Sequence, residues 1–302
     1  MLEFREVTIA DKELFTPYLN APGELMSTRC FPVMYLWSGF FGTKYCVRDG
    51  FLFGSSGVDE QGRINYMMPH GDGPIAPAVE ILEADAKERG LNYSIYLAGP
   101  CRREEIERDF PGKFISHVHR NGFDYIYDPA QLMELKGKKY QSKRNFVNRF
   151  KKEQEGRWQY RPFDPSRDGE AVMEFARSWR ESHRDGENEE TEDYELKLVQ
   201  TAIDNYEYFG LLGGLLTLEG KIIAFTFASP GPDGMLDVMF EKADASIPGV
   251  YPMINNQFAL ANFANFKFIN REDDLGIEGL RKSKLSYNPI FLTEKFILER
   301  KC

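Results

Sequence analysis

The stretch from Asn270 to Pro289 carries more charge than a solvated turn requires. Glu272, Asp273 and Asp274 stand in a row, Arg281, Lys282 and Lys284 follow within four residues, and Tyr287 lies just beyond. A helix over 277–287 would set Arg281, Lys284 and Asn288 at i, i+3 and i+7 on the side shared with Ile277, so that these cations adjoin the apolar face. Cations placed there call for an anion. Asn270, Arg271, Asp273, Arg281, Lys282 and Lys284 are therefore candidate binding residues. The competing explanation is a helix capped by Asp273 or Asp274 with solvated cations in its last turn.

A second cluster lies upstream. Eight Lys and Arg and no acid fall between Lys136 and Lys152. Within this run Lys143, Arg144 and Asn145 offer an ammonium, a guanidinium able to pair with phosphate, and an amide; a solvated helix face is the alternative. Asp237 and Glu241 recur at multiples of two along an expected strand over 235–242, which would put both carboxylates on one face. Asn255 and Asn270 are polar residues on otherwise apolar elements, either orienting a ligand or bonded within the core. His117 and His119 share a strand face but have no third ligand at a diagnostic spacing, so no metal site is expected.

These residues need a framework. Asp49-Gly50 between 44–47 and 51–54 signals a hairpin. The 74–90 stretch opens with Pro, keeps Ile75, Val79, Leu82 and Ala86 at helical spacing and ends at Gly90. Strands are expected over 93–98, 113–119 and 123–127, with a short helix over 102–110. A basic helix over 140–155 should turn Phe146, Val147 and Phe150 inward and stop at Gly156. Beyond it come helices near 168–182 and 192–208, three antiparallel strands over 209–218, 221–229 and 235–242, a helix over 250–263, and strands over 266–270 and 290–298. An acidic loop or helix start is expected over 185–195. Both halves run through strands, helix, strand, helix and strand in the same order, which indicates a tandem α/β architecture divided into 1–130 and 131–302.

Composition narrows the class. With 302 residues, 42% hydrophobic and 28% charged, the chain can bury full cores. No apolar run approaches a membrane span and the N-terminus has no signal-peptide pattern, so a cytoplasmic protein without integral membrane contact is expected. Cys30, Cys46, Cys101 and Cys302 show no paired spacing, as suits free thiols in a reducing compartment. A net charge of −9 disfavours indiscriminate binding to nucleic acid and makes the local basic run the informative feature.

The Asn270–Pro289 stretch resembles the closing motif of the DUF2156 family, the C-terminal domain of phosphatidylglycerol lysyltransferases, related to the Fem aminoacyltransferases. Tyr127-Asp128, Leu132, the 135–139 stretch, Lys143-Arg144-Asn145 before Phe150, the 240–244 stretch, Gly249-Val250-Tyr251 and Ile254-Asn255 are similar to the family pattern as well. The resemblance implies two tandem GNAT-like domains with mixed, largely antiparallel sheets, and acyl or aminoacyl transfer. The donor so implied is aminoacyl-tRNA, tracked by the basic helix of 136–152; the acceptor is a small-molecule or peptide amine or hydroxyl. Transfer from an ester to an amine needs a proton acceptor, an oxyanion partner and a proton donor. Asp237 or Glu241 suits the first role, Arg271, Lys282 or Lys284 the second, and Tyr287 the third.

A CoA thioester is the alternative donor, in a CoA-dependent N-acyltransferase. Its pyrophosphate would meet the 245–251 turn, where Pro248 removes a donor and the usual basic glycine-rich pattern is missing. No further cofactor is required. A non-catalytic binding protein on the same fold is the remaining alternative. The lysyltransferases carry a multi-helix membrane region that this sequence lacks, so phosphatidylglycerol is not the expected acceptor.

Overall fold

The structure, a computed structural model, describes residues 1–183 and 189–301. Part of the acidic 185–195 stretch therefore lies outside the described residues.

Asp49 and Gly50 take left-handed backbone conformations, with φ of 46° and 81°. They close a two-residue turn that pairs Arg48 with Phe51 and Val47 with Leu52, because a turn of this hand matches the twist of its strands. That hairpin seeds the first sheet, in the order Arg5–Glu6, Lys44–Arg48, Phe51–Val58, Arg63–Met67, Asn92–Ala98, Phe296–Arg300 and Phe114–Val118. Arg63–Met67 and Asn92–Ala98 run parallel, since the Ala76–Arg89 helix carries the chain between them. Gly90, with φ of 70°, ends that helix as expected. Val79, Leu82 and Ala86 join Phe53, Tyr66 and Ile95 in one buried cluster.

The second sheet follows the order Phe291–Thr293, Asp124–Tyr127, Phe268–Asn270, Met235–Ala243, Lys221–Pro230, Leu212–Leu218 and Trp158–Pro162. Trp158–Pro162, Leu212–Leu218, Lys221–Pro230 and Met235–Ala243 are antiparallel neighbours in turn, as are Phe268–Asn270 and Asp124–Tyr127, whereas Met235–Ala243 meets Phe268–Asn270 in parallel. The Pro165–Glu181 helix covers one face, bringing Phe175 edge-on to Phe225. The Val250–Asn262 helix covers the other; a Cβ at Gly214, which pairs with Thr226, would meet Phe258. The Gln141–Glu153 helix packs on Val250–Asn262, and Val147 and Phe150 join Met253 and Ile254 in the core. Phe146, expected inward, is 43% exposed. Its carbonyl and not its ring faces Gly249, at the start of the neighbouring helix.

The chain forms two compact units, 1–125 with 272–281 and 292–302, and 126–271 with 282–291. The expected division put 131–302 in the second domain; 272–281 and 292–302 instead group with residues 1–125. Each unit is α/β with a mixed sheet, the class expected. No helix among the described residues is long and apolar enough to cross a membrane.

Candidate functional site

The strand expected to present Asp237 and Glu241 together contains a bulge. Glu241 pairs with Thr226 and Phe240 with Phe227, but Val238 pairs with Ala228 and Asp237 with Ser229, so Met239 is one residue too many. Paired residues share a face, and one inserted residue reverses the alternation. The two carboxylates consequently lie on opposite faces, against expectation. Asp237 shares its face with Asn270, its partner in the parallel ladder, and both are fully buried. Glu241 lies on the face covered by the Val250–Asn262 helix.

On that face the second unit assembles most of the remaining candidates. Arg271 follows the last residue of its strand and turns to the side opposite Asn270, where its Nη2 donates to Glu241 Oε1 at 3.0 Å. Asn255 Nδ2 donates to Glu241 Oε2 at 3.3 Å. One carboxylate oxygen thus holds the guanidinium while the other is fixed by Asn255. Arg271 Nη1 is buried and has no hydrogen-bond partner among the described residues. Unpaired buried donors are costly and therefore informative.

The ring of Tyr287 is the floor beside that guanidinium. Arg271 Cζ lies 4.9 Å from the ring centroid and Lys143 Nζ 3.9 Å, both within cation–π range. Burial, then the Arg271 charge, push the Lys143 ammonium down to about 8, with Glu241 opposing them. Burial also pushes the Tyr287 phenol well above its ordinary range, which keeps it protonated.

Three hydrogen bonds fix this arrangement. Tyr140 donates its hydroxyl to the Tyr287 carbonyl at 3.0 Å, and Tyr127 donates to the Lys284 carbonyl at 2.8 Å. Lys284 Nζ donates to the Arg271 carbonyl at 2.5 Å. Lys284 is therefore a buried brace. Tyr127 and Tyr140 were not among the expected site residues; each is a fully buried tyrosine beside a charged motif, and that pairing of an amphipathic ring with nearby charge was the available signal.

The other candidates lie elsewhere. Arg144 donates to the carbonyls of Leu135 and Gly137 and, at 2.6 Å, to Gln141 Oε1, so it clamps the turn before its own helix. Asn145 is exposed and accepts from Gln141 Nε2 at 2.8 Å. Lys282 is exposed. Asp273 and Arg281 belong to the first unit, where Asp273 accepts from the Leu275 amide at 3.3 Å. Arg281 donates twice to the fully buried Asp274, at 2.9 and 2.8 Å. Asp274 also accepts from Arg120 at 3.1 Å and from the Tyr125 hydroxyl at 2.5 Å. Burial works against ionisation, yet the bonds from Arg281 and Tyr125 hold Asp274 well below the usual carboxylate range. The helix here spans Glu278–Leu285, and Asn288 lies outside it with φ of 53°. Arg281 and Lys284 are thus drawn to two separate internal partners instead of forming the common ligand-binding face expected.

The turn that would meet a CoA pyrophosphate is closed on itself. Asp244 Oδ1 accepts from the Ser246 amide at 3.0 Å and its hydroxyl at 2.6 Å. Gly249, with φ of 83°, lies so close to the Gln141–Glu153 helix that a Cβ would fall 2.7 Å from the Phe146 carbonyl oxygen.

A half-buried lysine beside an arginine with an unpartnered buried donor, both on a braced tyrosine, can stabilise negative charge and exchange a proton. The family described as phosphatidylglycerol lysyltransferase, C-terminal, matches residues 25–299. The chain belongs to this family. Among solved structures, a conserved protein of unknown function from Bacteroides thetaiotaomicron is 36% identical over 100% of both chains, with a TM-score of 0.91. A DUF2156 domain of a protein described as a lysylphosphatidylglycerol synthetase, from Agrobacterium fabrum, is 14% identical over 98% of this chain and 93% of its own, with a TM-score of 0.67. The Bacillus licheniformis L-PGS shares the fold at 19% identity over 87% and 86% of the two chains, with a TM-score of 0.60. An uncharacterised protein of Mycoplasmoides gallisepticum is 24% identical over 61% of this chain, and the match spans 58% of that relative's length. In this member of the phosphatidylglycerol lysyltransferase C-terminal family, Tyr127, Lys143, Asn255 and the Arg271–Tyr287 segment lie inside the matched range.

Proposed function

We propose that the chain transfers an acyl group from an ester donor to an amine or hydroxyl acceptor, the donor being an aminoacyl-tRNA. Family membership supports aminoacyl transfer as the reaction class. The observation that carries the reading is the Arg271 guanidinium. Glu241, itself held by Asn255, orients it, it is almost wholly buried, and one nitrogen is left without a partner among the described residues. Attack on an ester moves charge onto the carbonyl oxygen, and a fixed donor in a site shielded from water favours that oxyanion over the uncharged ground state. Such a donor is worth about 10²–10³ in rate in enzymes where it has been removed.

The tRNA donor is supported by Lys136, Lys138, Lys139, Arg149 and Lys152, which are exposed on the same unit. The closed turn at Asp244 to Gly249 favours an ester of tRNA over CoA. The test is thermal stabilisation by a charged tRNA pool, by CoA and by acetyl-CoA, at low and moderate salt. Stabilisation by charged tRNA that fades with salt agrees with the proposal. Stabilisation by CoA alone would replace it with a CoA-dependent N-acyltransferase, and a response to neither would leave a non-catalytic binding protein.

A further inference from the structure

Acyl transfer needs a group that relieves the attacking nucleophile of its proton, and the two expected carboxylates are poorly placed for it. Asp237 is fully buried on the far face of the sheet. Glu241 has one oxygen bonded to Arg271 and the other to Asn255. Tyr287 keeps its proton. We propose that Lys143 Nζ takes the proton from the attacking acceptor and returns it to the departing oxygen, a role that rests on the acyl-transfer reading above.

Three observations carry this assignment. Lys143 is half-buried, projecting from the Gln141–Glu153 helix towards the Tyr287 ring. Its Nζ makes no hydrogen bond or ion pair among the described residues, so all its hydrogen-bonding capacity is available to a substrate. Arg271, held on the same ring, opposes a second positive charge, while Glu241 is already neutralised by that arginine. The groups facing Nζ are thus Arg271, Glu241 and Tyr287; Lys284, the nearest other cation in the bracing network, is turned to the Arg271 carbonyl. An amine titrating at about 8 is partly neutral at physiological pH, close to the optimum for a group that must both accept and donate.

The step balances without a further reactant. A lone pair on the acceptor nitrogen or oxygen forms the bond to the acyl carbon as its N–H or O–H bond breaks, the proton passing to Nζ and the bonding pair staying on the acceptor atom. The carbonyl electron pair moves to oxygen, where the unpartnered Arg271 Nη1 would donate to it. When that pair returns, the ester C–O bond breaks, and the leaving alkoxide takes the proton from the Lys143 ammonium.

The experiment compares wild type, Lys143→Ala and Lys143→Arg under single-turnover conditions, with a radiolabelled aminoacyl-tRNA pool as donor and glycinamide or glycerol as acceptor. Both variants should lose about 10²–10⁴ in rate, because arginine stays protonated. Wild type should gain rate up to about pH 8, a rise absent from Lys143→Arg. Trimethylamine, which accepts protons but forms no stable amide, should restore part of the Lys143→Ala rate. Acetic anhydride labelling mapped by peptide mass gives a readout independent of turnover: Lys143 should label with a lower midpoint than the exposed Lys138. Equal rates in wild type and Lys143→Ala, or a Lys143 midpoint matching that of Lys138, would overturn the assignment while leaving acyl transfer standing. If wild type consumes no ester, the acyl-transfer reading fails and this role falls with it.

Discussion

Arg271 Nη2 lies 3.0 Å from Glu241 Oε1, and each of the two side chains is only 11% exposed. Removing one partner of a buried pair leaves the other charge without compensation, which typically costs about 3–5 kcal/mol. Glu241→Ala should therefore lower the urea midpoint sharply. Replacing both, as in Glu241→Leu with Arg271→Met, should recover much of that loss, because no lone charge remains. Strictly additive losses would show that the two side chains do not depend on each other.

Lys143 gives the second unit a pH dependence of known sign. Its folded value of about 8 lies below the ordinary 10.5, so between these values the unfolded chain binds the extra proton. Stability then rises with pH across that window. Chemical denaturation at pH 7.5 and pH 10 should show wild type gaining on Lys143→Met as pH rises. A constant difference between the two would contradict the burial argued here.

Asp274 gives the first unit a dependence of the same sign in an acid window. Its carboxyl is held well below the usual range by Arg281, Tyr125 and Arg120 despite its burial. The stabilisation is present above the unfolded value of about 4 and is lost as pH falls below it. Asp274→Asn should destabilise by about 3–5 kcal/mol at pH 7 and by progressively less in acid. A penalty independent of pH would sink this account.

Gly249 joins a left-handed φ of 83° to a 2.7 Å approach of its missing Cβ to the Phe146 carbonyl. Gly249→Ala should cost about 1–3 kcal/mol, the combined range for strain and overpacking, with the loss read as a lower thermal midpoint. An unchanged midpoint would mean that the two helices can separate freely.

Much of the framework could be read locally. The Asp49-Gly50 turn and the Ala76–Arg89 helix follow from near-neighbour patterns, and the structure places them within a residue or two of expectation. The site was less legible because its geometry is set by distant parts of the chain. A bulge at Met239 is a property of the ladder with Lys221–Pro230, and alternation within one strand cannot show it. Arg271 and Glu241 are thirty residues apart, and Lys143 reaches Tyr287 from another helix altogether. Charge density singled out the Asn270–Pro289 segment, but could not divide its cations between Asp274 and the Arg271 carbonyl.

The central claim is that Arg271 stabilises the oxyanion of an ester donor. The direct measurement is the rate at which a charged tRNA pool passes its amino acid to glycinamide, with protein in excess, for wild type and Arg271→Met, alongside tRNA binding for both. The account predicts transfer by wild type and a fall of about 10²–10³ in the variant, with tRNA binding retained. Equal rates in the two proteins, or no transfer by wild type, would contradict it.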